Sequence, residues 1–280
     1  MRHILLALCL LVSTLPAFQA SLHANENTLT FGVVPQQSAS KLAQNWVPIM
    51  QYLSEQTNTN IVFATAPDIP TFEERLLAGE YDLAYMNPYH FVFFHEYADY
   101  EAMAHRADKA IQGLLVTHVN SEVSDLQDLN KQIVVFPSPA AFAATILPQA
   151  ELALQGVTVR PKYVNSHDSV YLVVANQLFA AGGGITRTLS NIDPKVGGEL
   201  RILWRTREYT PHAFAAHARL PEPQRLAIAQ ALVNMHLDPK GQALLSRLGI
   251  AQLKAANNAD WDDVRQLNLN LLDHLLSAED

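Results

Sequence analysis

Cysteine is almost missing from this chain of 280 residues, and the one present, Cys9, lies inside an apolar leader. Met1 to about Ala24 has a basic start at Arg2 and His3, an almost wholly apolar run from Ile4 to Leu15, and small residues from Pro16 to Ala24. That pattern predicts a secretory signal over residues 1–24, with cleavage after Ala20 or Ala24. The apolar run is too short to span a bilayer well, and the stretch before Cys9 is too short for a lipid-acceptor cysteine. The mature chain is therefore expected without cysteine, which excludes disulfides, thiolate catalysis and thiolate metal sites together. Charge is scarce as well. Charged residues make up 16% and the formal net charge is -8, which argues against nucleic acid and an anionic membrane surface as partners. A local anion site remains open, because it needs only a few donors. Charge blocks, low-complexity stretches and long linkers are missing too, so any crossing between units must run on structured segments. What is plentiful is apolar residues, 49%, enough for one large domain or two modest ones.

One stretch organises the rest. Ile133 to Phe136 (IVVF) reads as a strand buried on both faces. Pro137, Ser138 and Pro139 break it, and the Ala-rich Ala140–Leu147 favours helix. A buried strand turning tightly into a helix aims the free N–H groups of the first turn at one point, which attracts anions. Small side chains at Ala140, Ala141, Ala143 and Ala144 let a ligand approach that backbone. Phe142 is either an apolar wall of such a site or core.

The pattern around this stretch is α/β. Leu29–Val34 reads as a strand. A helix follows through Leu42, Trp46, Ile49, Met50 and Leu53, with a kink or break expected near Trp46 because of Pro48. Ile61–Ala64 is the next strand. Thr71 to Glu74 matches a capping box that starts a helix at Thr71, and Gly79 ends it. Tyr81–Met86 is the third strand, with Asn87 to His90 as the turn at its end and a helix opening at Phe91. This βαβαβ order predicts a doubly wound sheet, whose ligands sit beyond the carboxyl ends of the strands. A similar unit follows: a strand at Ile111–His118, a capping box at Ser124–Gln127, the Ile133 strand and Ala-rich helix, Thr158–Val164, a helix capped by Ser166 or Asp168, a Gly-rich strand near Gly182–Gly184, and Leu200–Trp204. Helices are expected at about 221–236 and 239–247. A last one begins near Asp260, with Trp261, Val264, Leu267, Leu271 and Leu275 on a core stripe. The expected organisation is residues 28–108 with 208–280 as lobe 1 and 109–207 as lobe 2, crossing near 106–113 and 205–212.

Enzyme signatures are weak. There is no G-x-S-x-G elbow, and the cleft loops carry no paired carboxylates. Gly182–Gly184 does not match a nucleotide phosphate loop, and His90, His95 and Glu96 lack H-E-x-x-H spacing. No metal and no cofactor are expected.

The order of motifs is more telling than any one of them. Trp46, Pro48, Tyr52 and Leu53 form W-x-P-x-x-x-Y-L. Gly79, Asp82, Leu83, Ala84 and Tyr85 form G-x-x-D-L-A-Y. Asp125 to Lys131 reads D-L-x-D-L-N-K, and His167-Asp168-Ser169-Val170 precedes the Gly-rich strand. Over about residues 29–250 this resembles the phosphate/phosphite/phosphonate-binding proteins of ABC importers, the PhnD-like group of two-lobed periplasmic binding proteins (type II). The resemblance implies two doubly wound α/β lobes with a ligand cleft between them. It also implies capture of a small anion, an oxyanion or small organic anion, and delivery to an ABC permease. Similar domains also serve as sensing partners of membrane histidine kinases, which is the alternative. The chain is expected to act as a monomer and not as an enzyme.

The resemblance also marks a departure. The family's Ser-Thr-Ser-Gly run, counted back from Pro148, falls on Ala141, Phe142, Ala143 and Ala144, leaving Ser138 and Thr145 as the nearby hydroxyls. The family's acidic residue falls near Ala180 and its lobe 1 tyrosine near Ile69. His167 matches a binding histidine. Ser169 lies two residues on, and Thr186 and Arg187 follow the Gly-rich strand, where a guanidinium can hold an oxyanion bidentately. Gln37 and Ser38 end the first strand, and Asn87 and Tyr89 end the third. Thr210 and His212 lie where a hinge would border the cleft, while Tyr85 reads as core.

Overall fold

The computed structural model describes residues 28–139 and 141–277, excepting the side chain of Arg187. The expected signal segment with Cys9, and Ala140, lie outside the described residues. The chain opens with β1 (Leu29–Val33), α1 (Ala39–Thr57), β2 (Ile61–Ala64), α2 (Ile69–Leu77), β3 (Leu83–Met86), α3 (Pro88–Tyr97) and β4 (Tyr100–Arg106). Then come β5 (Leu114–His118), a 3-10 turn at Gln127–Leu129, β6 (Ile133–Phe136), and a π-helical segment, Phe142–Ile146, that runs into α4 (Leu147–Leu154). After these lie β7 (Arg160–Tyr163), α5 (His167–Ala175), β8 (Ala181–Gly184), α6 (Thr186–Ser190), α7 (Pro194–Gly198) and β9 (Leu200–Arg205). The return passes through β10 (Ala213–His217), α8 (Glu222–Asn234), α9 (Pro239–Arg247), β11 (Leu253–Ala255) and α10 (Asp262–Arg265), with short 3-10 turns at Met235–Leu237, Asn258–Trp261 and Asp273–Leu275.

Two sheets result, in the orders β2-β1-β3-β10-β4-β11 and β7-β6-β8-β5-β9. In lobe 1, β1 pairs parallel with β2 and β3, while β10 runs antiparallel between β3 and β4. Lobe 2 repeats this, with β6 parallel to β7 and β8, and β5 antiparallel between β8 and β9. In each sheet the antiparallel strand next to the parallel set, β10 or β5, is the one that has just arrived from the other lobe, and β11 at the edge of the first sheet also runs antiparallel to β4. This is the two-lobed α/β architecture the motif order implies. β6 forms where expected, with Val134, Val135 and Phe136 fully buried, while Ile133 at its start is exposed.

Several local expectations are corrected. α1 is one helix through Pro48 and does not break into two. Proline at 48 removes the N–H that would bond the carbonyl of Gln44, and Arg247 Nη2 donates to that carbonyl at 2.7 Å instead. α2 starts at Ile69, not Thr71, because Asp68 caps it by accepting from the Thr71 N–H at 2.9 Å. The turn expected at Asn87–His90 is already α3, with Asn87 as its cap. At 124–127 the caps are Asp125 and Asp128, whose carboxylates accept from the Gln127 and Ser124 amides, and only a 3-10 turn follows. The Ala-rich helix starts as a π-turn at Phe142. The last stripe is no continuous helix: α10 ends at Arg265, and Asn268 takes a left-handed φ of 49°. Trp261, Val264, Leu267 and Leu275 are buried as expected, while Leu272 replaces Leu271 in the core. Strands β4 and β11 were not legible from the pattern.

Candidate functional site

The carboxyl ends of the parallel strands in both sheets meet in one buried cluster. It holds Val34, Ala66 and Met86 from lobe 1, and Phe142, Ala143, Ile146 and Leu147 from lobe 2, with Tyr85 and Ile185 packed against it. The lobes therefore face each other across the edge where ligands of such sheets bind.

On lobe 2, the segment Phe142–Ile146 sits directly on the sheet. A Cβ at Gly183 would collide with the carbonyl of Ala144, and one at Gly113 with the carbonyl of Ala143. Glycine at these two positions is thus the condition for the segment's close approach. The Ala141 carbonyl accepts from the N–H groups of both Thr145 (2.8 Å) and Ile146 (3.2 Å), which is how the π-turn closes. Among the described residues no side chain caps this start. The Thr145 hydroxyl donates to the Ser138 carbonyl at 2.7 Å, so it is committed to the loop. Phe142 is 4% exposed and lies in the buried cluster.

The rim of lobe 2 is polar. Ser166 caps α5, its hydroxyl accepting from the Ser169 N–H at 3.0 Å and donating to the Ser169 hydroxyl at 2.8 Å. His167 is the first residue of α5, and its Nδ1 lies 3.2 Å from Thr188 Oγ1. That hydroxyl is 2.7 Å from the hydroxyl of Tyr171, which accepts from the Ile185 N–H. Burial pushes the Tyr171 phenol above its ordinary value, so it stays a neutral strut. Thr186 accepts from Arg205 Nη1 at 2.9 Å. Arg187 lies in α6 beside it, its side chain outside the described set.

On lobe 1, Ser38 caps α1 by accepting from the Lys41 N–H at 3.4 Å, and Gln37 is exposed in the loop before it. Asn87 is buried and caps α3 by accepting from the His90 N–H at 2.8 Å. The hydroxyl of Tyr89 accepts from the Leu272 N–H at 3.2 Å, which ties it to the C-terminal segment. Thr210 is tied the same way: its N–H donates to Asp263 and its hydroxyl to the Asp260 carbonyl, both at 2.6 Å. Thr210 lines a surface hollow of about 280 Å³ with Lys109, Glu208 and Lys254.

Two residues away, His212 turns to the sheet edge. It stacks on Tyr85, with ring centroids 5.2 Å apart and planes 19° apart, and its Nε2 lies 3.0 Å from Gln36 Nε2. Tyr85 rests in turn on buried Trp46, centroids 4.7 Å apart. Sequence reasoning passed over Gln36 and placed Tyr85 in the core. The signal that could have found them is register: His212 immediately precedes Ala213, which pairs with Met86.

The two crossings pair with each other. Ile111 and Tyr209 exchange N–H···O bonds of 2.9 Å, and Gly113 N–H donates to Thr206 Oγ1 at 3.0 Å. Buried Glu151, on α4, accepts from the Arg207 N–H at 2.9 Å and from the Tyr209 hydroxyl at 2.6 Å. Burial and the Glu151 hydrogen bond push the Tyr209 phenol up to about 12. Arg207 and Tyr209 are thus tied to Glu151 on α4, and the next residue, Thr210, to Asp260 and Asp263. The histidines at 90 and 95 diverge. His90 Nε2 meets buried Glu73 at 2.7 Å, and His95 Nδ1 meets the Tyr100 carbonyl.

Paired sheets of this order, joined by two crossings and facing across their carboxyl edges, define a two-lobed substrate-binding protein. The family described as "ABC transporter, phosphonate, periplasmic substrate-binding protein" matches residues 31–261, and the chain belongs to it. The phosphate-import protein PhnD of Mycolicibacterium smegmatis is 23% identical over 69% of this chain and 67% of its own length. PhnD1 of Prochlorococcus marinus, solved with methylphosphonate, superposes with a TM-score of 0.72 at 18% identity, covering 87% of this chain and 98% of its own. XAC2383 of Xanthomonas citri, solved with a chloride ion, gives 0.76 at 16% identity, covering 86% and 95%. The chain is a periplasmic solute-binding protein by family. At these identities the solved structures speak to fold alone.

Proposed function

We propose that this protein captures a small anion between its lobes and delivers it to an ABC permease. The observation that carries this is the shared buried cluster at the facing carboxyl edges, with the uncapped start of the segment at Phe142 inside it. The first amides of that segment, at Phe142 and Ala143, come before the Thr145 and Ile146 N–H groups that close its first turn on the Ala141 carbonyl, and amides at such a start suit an anion. His167, Ser138, Ser169, Thr186 and Arg187 on lobe 2, and Gln37, Ser38, Asn87 and Tyr89 on lobe 1, are the proposed neighbours of the ligand. The proposed lobes are 28–108 with 208–280, and 109–207. Opening and closing turn about the paired crossings, a hinge motion, with Thr210 as the lobe 1 anchor.

A thermal-shift panel of oxyanions and small organic acids on the purified protein tests this. A true ligand at about 100-fold its dissociation constant adds about 2.7 kcal/mol of stability. His167→Ala is expected to weaken the best hit without unfolding the protein. The reading falls if no member of the panel stabilises the protein, or if the bound compound is turned over.

A further inference from the structure

His167, which the capture reading sets beside the ligand, ends a hydrogen-bond chain that begins on the backbone of lobe 2. The Ile185 N–H, which can only donate, donates to the Tyr171 hydroxyl at 3.2 Å. Burial keeps that phenol protonated, and its shortest hydrogen bond, 2.7 Å, is to the Thr188 hydroxyl. Thr188 Oγ1 stands 3.2 Å from His167 Nδ1 and 3.1 Å from the Ile185 carbonyl. That carbonyl already accepts from the Leu189 N–H at 3.1 Å, so the Thr188 hydrogen is better used on the ring. A neutral imidazole has one N–H and one acceptor nitrogen. With Nδ1 accepting from Thr188, the ring hydrogen sits on Nε2. In the neutral ring an anion needs that tautomer, because a bare lone pair on Nε2 would repel it.

Resting on the capture reading above, we propose that Thr188 is a positioning residue: its hydroxyl, itself accepting from Tyr171, donates to His167 Nδ1 and holds the ring as an Nε2–H donor for an oxygen of the bound anion. Thr188 acts through the ring and not on the ligand. Direction along the chain is set at its far end, by a backbone N–H that cannot reverse.

The test is nitrogen NMR of the His167 ring at the alkaline end of its titration, with the signals assigned by their loss in His167→Ala. It is paired with calorimetry of inorganic phosphate, sulfate and acetate. The wild-type ring is expected as the Nε2–H tautomer. In Thr188→Val, which keeps the shape and removes the hydroxyl, the Nδ1–H form grows in. Affinity for whichever probe binds falls about five- to tenfold. Thr188→Ser restores both the tautomer and the affinity. In a His167→Ala background Thr188→Val costs nothing further, because the two residues act as one unit. An Nδ1–H ring in the wild type overturns the inference. So does unchanged affinity in Thr188→Val, or a loss that adds in full to that of His167→Ala. Silence of all three probes and of the wider anion panel brings down the capture reading, while the ring signals of wild type and Thr188→Val still decide the bond from Thr188 to His167.

Discussion

The two lobes share a strand order but start their first helices differently. After β1, the chain turns through an exposed loop and Ser38 caps α1 with its hydroxyl. After β6, at the matching place in lobe 2, no side chain caps the helix, the first turn is π, and Phe142 through Ile146 are buried. The same topology is finished with local chemistry in one lobe and by contact with the sheet and the opposite lobe in the other. A start that closes its own hydrogen bonds is self-sufficient. A start without a side-chain cap, packed in an interface, depends on its tertiary surroundings.

The largest effect should come from removing what fills that interface. Phe142→Ala deletes a fully packed ring, and urea denaturation should show a loss of about 4 kcal/mol. A loss under about 1 kcal/mol would mean that the wall is not packed against lobe 1 in solution. Next come the paired crossings. Glu151→Ala strands the Arg207 N–H and the Tyr209 hydroxyl in a buried place, and should cost about 3 kcal/mol by the same measurement.

The caps give a smaller and more pointed contrast. Ser38→Ala should cost about 0.5 kcal/mol, since its bond is long, whereas Ala141→Ser, which supplies the missing cap, should add up to about 1 kcal/mol. The added hydroxyl competes for the same amides, so calorimetry should show ligand affinity falling as stability rises. Gain in both would argue that the amides do not serve the ligand.

The smallest effect is a pH dependence confined to lobe 1. Burial holds His105 below its ordinary value of 6.5, with its Nδ1–H on the Arg106 carbonyl and Lys254 and Asp260 nearby. The unfolded chain then takes up a proton that the folded chain refuses, so stability is intact above about 6.5 and declines as pH falls toward the folded value. His105→Gln should flatten that decline in thermal melts between pH 7.5 and 5.

Legibility followed locality. The β6 run, the Ser166 cap and the burial of Trp261 and Val264 could be read from neighbours in sequence. Strand β4 could not, because its pairing depends on β10 and β11 arriving from far along the chain. The start of α2 was misplaced because two caps, Asp68 and Thr71, compete within one turn, and the carboxylate wins. Among candidate site residues, Thr210 and His212 looked alike in the sequence. Only the C-terminal segment, through Asp260 and Asp263, turns Thr210 away from the sheet edge while His212 stays on it.

Residue order by itself determined the alternation of strands and helices, the repeat of one α/β unit by another and the family, because these depend on periodicity and on motifs a few residues long. Tertiary structure alone decided how the two crossings are paired and that Tyr85 stacks on His212 while resting on Trp46. Hydrogen-bond partners and packing neighbours there come from positions about 40 to 180 residues apart, as Trp46–Tyr85, Tyr209–Glu151 and Gln36–His212 show, and no local pattern encodes that distance.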